Sequence, residues 1–307
     1  MTAPCAQSSA PIDFLQEGNR MSTYRSIQKI VKARATIEGA GVHLQRAIGF
    51  DDPYQYDPFL LLDDFRSDTR ADYIKGFPWH PHRGIETITY VLKGRIAHGD
   101  NIGNRGTIGA GDIQWMTAGS GIYHQEMPDG DSDGAMYGFQ LWANLPAKDK
   151  MMDPRYRGFT AKDIPEIKKD DGTVVKVIAG TYDGITGPVT DVVTSPEYYD
   201  ILIPQGKEYI QKTKKGSTVI FYVFDGEAYI QTEKVQNRNL ILFADGEAVK
   251  ITTKEHPVRF LMMSGMPIKE PIAWYGPIVM NSEAELRTAY NELEEGTFVK
   301  VKKAKAD

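Results

Sequence analysis

The body of the chain is patterned as short apolar runs bounded by turn-forming residues. Ile85–Leu92, Asp112–Thr117, Ala135–Leu145, Val174–Ile178, Tyr198–Ile203, Thr218–Phe224, Asn239–Phe243 and Val258–Met263 carry many Val, Ile, Tyr or Phe residues, and Gly, Asp or Pro bounds most of them. β-branched and aromatic side chains pack well on a pleated surface, so these runs are predicted strands. One segment near the end departs from the pattern. Asn281-Ser282 can cap a helix that begins Glu283-Ala284-Glu285-Leu286, runs to about Glu294 and stops at Gly296.

The strand pattern also repeats. Thr89-Tyr90-Val91-Leu92-Lys93-Gly94-Arg95-Ile96 resembles Phe221-Tyr222-Val223-Phe224-Asp225-Gly226-Glu227-Ala228, and Gly111-Asp112 offers a second anchor against Gly246-Glu247. Both anchors read as strand, tight turn, strand. The predicted fold is all-β, with one barrel-like unit used twice and a short C-terminal helix. A length of 307 residues suits two domains of about 150 residues. On this division residues 1–22 are expected to be disordered, 23–150 to form the first copy, 165–280 the second, and 281–307 the helix and a solvated basic tail.

Composition narrows the function. Lys and Arg number 36 against 41 Asp and Glu, a net charge of −5, which excludes a strongly basic nucleic-acid binder. An apolar share of 41% suits a packed core. No segment approaches the ~20 apolar residues that span a bilayer. Met1–Asn19 has neither a basic start nor an apolar stretch, so no signal peptide is expected, and a cytoplasmic location follows. The single cysteine, Cys5, allows no intrachain disulfide, CxxC pair or Cys-based zinc knuckle.

The six histidines carry the chemistry. His80-Pro81-His82 places two imidazoles at i and i+2, which share one face of an extended strand. His124-Gln125-Glu126 does the same with an imidazole and a carboxylate. Set side by side in a barrel, His80, His82, His124 and Glu126 offer three neutral nitrogens and an anionic oxygen, a set suited to a divalent first-row metal with positions left for other ligands. His43, His98 and His256 stand alone and read as structural or exposed, His98 as a polar loop or strand-end residue. At the spacing of the repeat, His80 and His82 correspond to Lys212 and Lys214, so the second copy is expected to hold no metal.

Gly76-Phe77-Pro78-Trp79-His80-Pro81-His82-Arg83-Gly84-Ile85-Glu86-Thr87 resembles the signature of the pirin family. So does the run from Gly111 through Trp115, Ser120 and His124 to Pro128. Pro58–Phe65 and Gly276–Asn281 look like further family landmarks, and the likeness extends from about Thr23 to Phe298. The resemblance implies two tandem cupin β-barrels of jelly-roll type. It implies one metal in the N-terminal barrel, held by His80, His82, His124 and Glu126. The general cupin pattern takes its glutamate from the first motif, where Glu86 stands. The pirin pattern makes Glu86 a supporting or structural carboxylate instead. Several family members carry an acidic residue where this chain has Trp79. Strand alternation points Trp79 away from the face of His80, toward the barrel rim or an entrance.

The resemblance further implies a dioxygenase of the quercetin 2,3-dioxygenase type, with a flavonol-like aromatic substrate and dioxygen. Glu126 would accept the proton of the substrate's 3-hydroxyl. Fe(II) is the first choice of metal, with Mn, Ni, Cu, Co or Zn able to bind the same donors, although Zn would not support oxygen chemistry. The alternative is an iron-containing redox-sensing transcriptional co-regulator or protein-binding module. Other metal chemistry, such as isomerisation or decarboxylation, fits the same ligands. Direct nucleic-acid and membrane contacts are not expected, a protein partner is compatible, and a monomer is expected because tandem barrels already bury the surface that single cupins bury by dimerising.

Overall fold

A computed structural model describes residues 24–300. The expectations for residues 1–22, for Cys5 and for the tail beyond Lys300 fall outside the described residues. Each of the eight apolar runs is a strand. Among the described residues no helix is long and apolar enough to cross a membrane.

The strands build two β-barrels whose main sheets correspond position by position. The first sheet runs Arg155–Phe159, Ile113–Thr117, Ile85–Lys93, Tyr137–Asn144, Phe59–Asp64, Val42–Ile48, Arg34–Glu38. The second runs Ile27–Lys32, Asn239–Phe243, Thr218–Ile230, Val258–Gly265, Glu197–Ile203, Val174–Ala179, Glu166–Lys168. A smaller sheet closes the first barrel in the order Phe77–His82, Ile122–Asp129, Arg95–Asp100, Arg105–Ile108. Glu208–Lys212, Ala248–Thr252, the end of Thr218–Ile230 and Glu233–Gln236 do the same for the second.

The outermost strands are exchanged. Ile27–Lys32 pairs with Asn239–Phe243 of the second barrel, and Arg155–Phe159 closes the edge of the first. Arg25 fixes the N-terminal segment in place. Its buried guanidinium donates to Thr213 Oγ1 at 2.8 Å, to the Lys214 carbonyl at 2.7 Å and to the Ala244 carbonyl at 2.9 Å.

The strand alignment confirms the first anchor of the repeat and corrects the second. Gly94 and Gly226 both bend the corresponding central strands at positive φ, 76° and 68°. At Gly226 a Cβ would lie 1.9 Å from the Pro257 carbonyl oxygen, so glycine is required there. Gly111-Asp112, however, leads into Ile113–Thr117, whereas Gly246-Glu247 leads into Ala248–Thr252, the counterpart of Ile122–Asp129. The two dipeptides are similar turns at different places in the topology.

Residues alternate between two environments along every central strand. Ile88, Tyr90, Trp115, Phe139 and Leu141 leave the first barrel and meet Tyr198, Ile220, Tyr222, Leu240 and Leu261 of the second in one shared core. Two buried tyrosines cross this core in opposite directions. Tyr90 donates to Asp200 Oδ2 at 2.7 Å, and Tyr222 donates to Asp64 Oδ2 at 2.8 Å. Each aspartate is gripped by a forked arginine from its own barrel, Arg259 on Asp200 and Arg66 on Asp64. The interior of the second barrel is one continuous apolar cluster from Val175 to Met262. In the first barrel, by contrast, the interior apolar residues divide into a cluster around Val42, Val91 and Ile108 and another around Leu60, Ile85 and Met116.

The C-terminal helix spans Glu283–Glu294, as its sequence predicts. Ser282 Oγ accepts from Glu285 N–H at 3.3 Å, Glu285 Oε2 accepts from Asn281 N–H at 3.0 Å, and Gly296 ends the helix at φ 70°.

Removing either hydroxyl leaves a buried charged acceptor short of one partner. Tyr90→Phe and Tyr222→Phe are therefore each expected to cost about 1–3 kcal/mol, and nearly additively because they lie on different aspartates. Urea denaturation checks this; wild-type stability in both variants would contradict it.

Candidate metal centre

His80 and His82 lie on the strand Phe77–His82, and His124 lies on Ile122–Asp129, directly opposite His80 in the register. The i, i+2 spacing turns both members of the first pair inward. Ring centroids are 4.4 Å apart for His80 and His124, 4.8 Å for His80 and His82, and 5.0 Å for His82 and His124. One ligating nitrogen from each residue lies within 4.8 Å of the others. His82 and His124 are buried, and His80 is half-buried at the edge of a cleft.

Hydrogen bonds fix the tautomers of two rings. His80 Nδ1 lies 2.8 Å from the Pro78 carbonyl oxygen, and His82 Nδ1 lies 3.2 Å from that of Pro277. A carbonyl only accepts, so each Nδ1 carries the proton and each Nε2 keeps its lone pair. Those two Nε2 atoms are 3.0 Å apart. His124 goes further, since among the described residues neither of its buried ring nitrogens has a hydrogen-bond partner. Burial holds all three imidazoles below the ordinary range, His82 and His124 well below it, and neighbouring imidazoles add to the effect. Three neutral nitrogens converging with unmet lone pairs fit a divalent first-row metal, and carbonyl-bound Nδ1–H groups are the usual support of such ligands.

Glu126 is buried on the interior face of the same strand as His124. Its carboxylate lies outside the 4.8 Å group and is held by three donors: Thr89 Oγ1 at 2.8 Å and Gln114 Nε2 at 3.3 Å on Oε1, and Gln140 Nε2 at 3.2 Å on Oε2. Glu86 lies on the opposite face of its strand from Thr87 and Thr89. It accepts from Thr117 Oγ1 at 2.6 Å and pairs with Arg157 at 3.5 Å, so it supports the sheet and cannot reach the histidines.

His98 needs correcting. It is neither a loop nor a strand-end residue but lies buried within the strand Arg95–Asp100, opposite Glu126 in the register, stacked on Tyr156 and 5.5 Å from the His124 ring centroid. The flanking Gly-Asp-Asn sequence suggested a turn, whereas the alternation His98, Asp100 on a strand was the signal that placed it inside. The second barrel also departs from the sequence alignment. Its inward residues at the positions of His80 and His82 are Tyr209 and Gln211, paired with Ile251 and Val249, while Lys212 and Lys214 are exposed. His256 is exposed, as expected.

The His80 and His82 edges open into a cleft of about 430 Å³ whose walls include Phe50, Phe77, Trp79 and Trp142. Trp79 points outward at 48% exposure and stands at the mouth. Gly276 and Pro277, from beyond the second barrel, close one side.

The Pirin family model matches residues 41–143, and that of the Pirin C-terminal cupin domain matches residues 198–299. The chain belongs to the pirin family. A pirin-like protein of Caulobacter vibrioides is 41% identical over 275 residues, 89% of this chain and 99% of that one. Pirin of Rattus norvegicus is 37% identical over 276 residues, 88% of this chain and 92% of its own length. A crystal structure of quercetin 2,3-dioxygenase from Acinetobacter baumannii superposes with a TM-score of 0.82 at 31% identity, covering 90% of this chain and 99% of that one. The pirin motifs around His80 and His124 thus sit on the two strands that bring the imidazoles together.

Two predictions follow from the geometry. His124→Ala is expected to weaken Fe(II) or Ni(II) binding by more than about 100-fold, measured by metal analysis after dialysis; full occupancy would contradict the assignment. The second concerns pH. Unfolded histidines take a proton near pH 6.5, whereas His82 and His124 resist it when folded. Below about pH 6.5 the unfolded chain therefore binds more protons, and stability falls as pH falls. Metal-free protein should lose up to about 1.4 kcal/mol per pH unit for each such histidine, and His124→Asn should flatten the slope by one histidine's share. Denaturation across that range checks the slope.

Proposed function

We propose that this pirin is a metal-dependent dioxygenase of the quercetin 2,3-dioxygenase type, acting on flavonol-like substrates. The metal, Fe(II) in the first instance, would be held by His80, His82, His124 and Glu126. The observation that carries this reading is the convergence of three neutral imidazoles, of which His80 and His82 line an aromatic-walled cleft and His124 behind them has both nitrogens unpartnered among the described residues. The likeness to the Acinetobacter baumannii quercetin 2,3-dioxygenase supports it.

Bound there, a redox-active metal supplies Lewis acidity toward an enolic hydroxyl and access to dioxygen chemistry. The chain supplies the rest. The aromatic side chains of Phe50, Trp79 and Trp142 along the cleft suit a planar ring system. Pro78 and Pro277 keep the His80 and His82 Nε2 lone pairs turned toward the centre. Thr89, Gln114 and Gln140 hold the Glu126 carboxylate in one orientation, from which it accepts the proton of the substrate's 3-hydroxyl. Gln140 both grips Glu126 and lines the cleft, so it links the proton acceptor to the substrate space.

Protein loaded with Fe(II) and supplied with a flavonol in air is expected to consume the flavonol absorbance. Glu126→Ala should lower that rate by about 10²–10⁴-fold or more. Absence of turnover in protein shown to carry Fe(II), Mn(II), Ni(II), Co(II) or Cu(II) in turn overturns the reading.

A further inference from the structure

The interior face of the first sheet carries a row of polar side chains at one level. Register pairs Gln114 with Thr89, Thr89 with Gln140, Gln140 with Asp63, and Asp63 with Arg46, across neighbouring strands. Gln114, Thr89 and Gln140 hold Glu126. Gln140, Asp63 and Arg46 line the cleft. The row therefore runs from the metal centre out along the substrate wall.

Its outer end is an ion pair in an otherwise largely apolar wall. Arg46 Nε donates to Asp63 Oδ1 at 2.8 Å and Nη2 to Oδ2 at 2.7 Å, while Nη1 donates to Glu38 Oε1 at 2.7 Å. The Asp63 and Arg46 side chains are 9% and 11% exposed. Each Asp63 oxygen accepts one of these bonds and keeps a further lone pair. Burial raises the Asp63 carboxyl to about 6, which leaves it ionised at neutral pH. A buried ion pair is often no more stabilising than apolar residues of the same volume, and Leu61 and Trp142 beside it show that apolar residues fit this wall. Stability alone gives no reason for the pair, whereas ligand recognition does.

We propose that Asp63, fixed by Arg46, is a specificity-determining residue that accepts a hydrogen bond from a hydroxyl on the outer part of the substrate. This rests on the dioxygenase reading for the metal end. Adjacent strands are about 4.8 Å apart, which puts Asp63 about 5 Å and Arg46 about 10 Å across the sheet from Gln140. That is the span of one to two fused six-membered rings. The substrate class is then a flavonol bearing ring hydroxyls besides the 3-hydroxyl. A carboxylate accepts and cannot donate, so a methoxy group or bare hydrogen at that place gives the second lone pairs of Asp63, already held by Arg46, no donor and displaces water from them without replacement.

The test compares parent 3-hydroxyflavone with flavonols hydroxylated or methoxylated on the fused ring or the pendant ring, using Fe(II)-loaded protein. Turnover and tryptophan-quenching binding are both read. Wild type is expected to favour at least one hydroxylated flavonol over the parent and its methoxy analogue by about 10- to 100-fold in kcat/KM and in Kd. Asp63→Asn and Arg46→Lys should bring that ratio toward one. The ratio is internal to each preparation, so partial loss of folded protein does not alter it. Equal handling of parent and hydroxylated flavonols by wild type overturns this inference and leaves the dioxygenase reading standing. An unchanged ratio in both variants also overturns it. Failure of every flavonol to bind or turn over in metallated protein overturns both.

Discussion

Three imidazole lone pairs meet in a place where no donor among the described residues satisfies them, and much of the first barrel is arranged around that fact. A buried polar nitrogen without a partner costs free energy, and His124 has two. His80 and His82 set their Nε2 atoms 3.0 Å apart while carbonyls occupy their Nδ1–H groups. Left to itself such a cluster would be a defect. A metal turns the same lone pairs into ligands, and its binding free energy adds to folding. The apolar interior of the first barrel accordingly falls into two clusters, while that of the second, where Tyr209, Gln211 and Ile251 replace the histidine positions, is continuous.

The sequence was most legible where both faces of a strand are buried. Thr218–Phe224 and Val258–Met263 bury apolar side chains inside a barrel on one face and in the shared core on the other, so they read as near-continuous apolar runs. The strands that carry the site do not. Phe77–His82 mixes two prolines and two histidines with aromatics, and its strand character comes from pairing with Ile122–Asp129. The i, i+2 pairs nonetheless identified His80, His82 and His124, because that spacing has one geometric meaning in an extended chain. His98 was misplaced because Gly99-Asp100-Asn101 reads as a turn, although His98 and Asp100 keep the same i, i+2 spacing on the strand Arg95–Asp100. The row from Gln114 to Arg46 was illegible because register is a tertiary fact, and its members are scattered in sequence and adjacent only across the sheet.

The duplication divides labour. The two copies match in their central strands, where Tyr90 and Tyr222 occupy equivalent places and reach reciprocally for Asp200 and Asp64. Each barrel thus supplies a donor to, and takes one from, its neighbour. The exchanged edge strands add a second tie, since Ile27–Lys32 leaves the first half to complete the second sheet. These features make the barrels one body and explain why the second copy is kept though its interior is filled.

The second copy also delivers the segment that finishes the candidate metal centre. Its chain continues past the barrel into Pro277, whose carbonyl orients His82, and then into Val279, whose N–H donates to the Arg83 carbonyl at 3.1 Å. Lys150 locks this strap from behind, donating to Gly84, Val279 and Asn144 at 2.8, 3.1 and 2.6 Å. Burial lowers its pKa to about 7, but three acceptors match the three donors of an ammonium, which a neutral amine could not satisfy. Gly84 is tied to the same contact, because a Cβ there would lie 1.9 Å from the Val279 carbonyl oxygen. Arg83, next to His82, packs over Phe298 at 4.1 Å and pairs with Glu292 of the C-terminal helix. The orientation of His82 in the first barrel is therefore set by residues that follow the second. A first barrel alone would contain all three histidines and still lack the carbonyl that aims one of them.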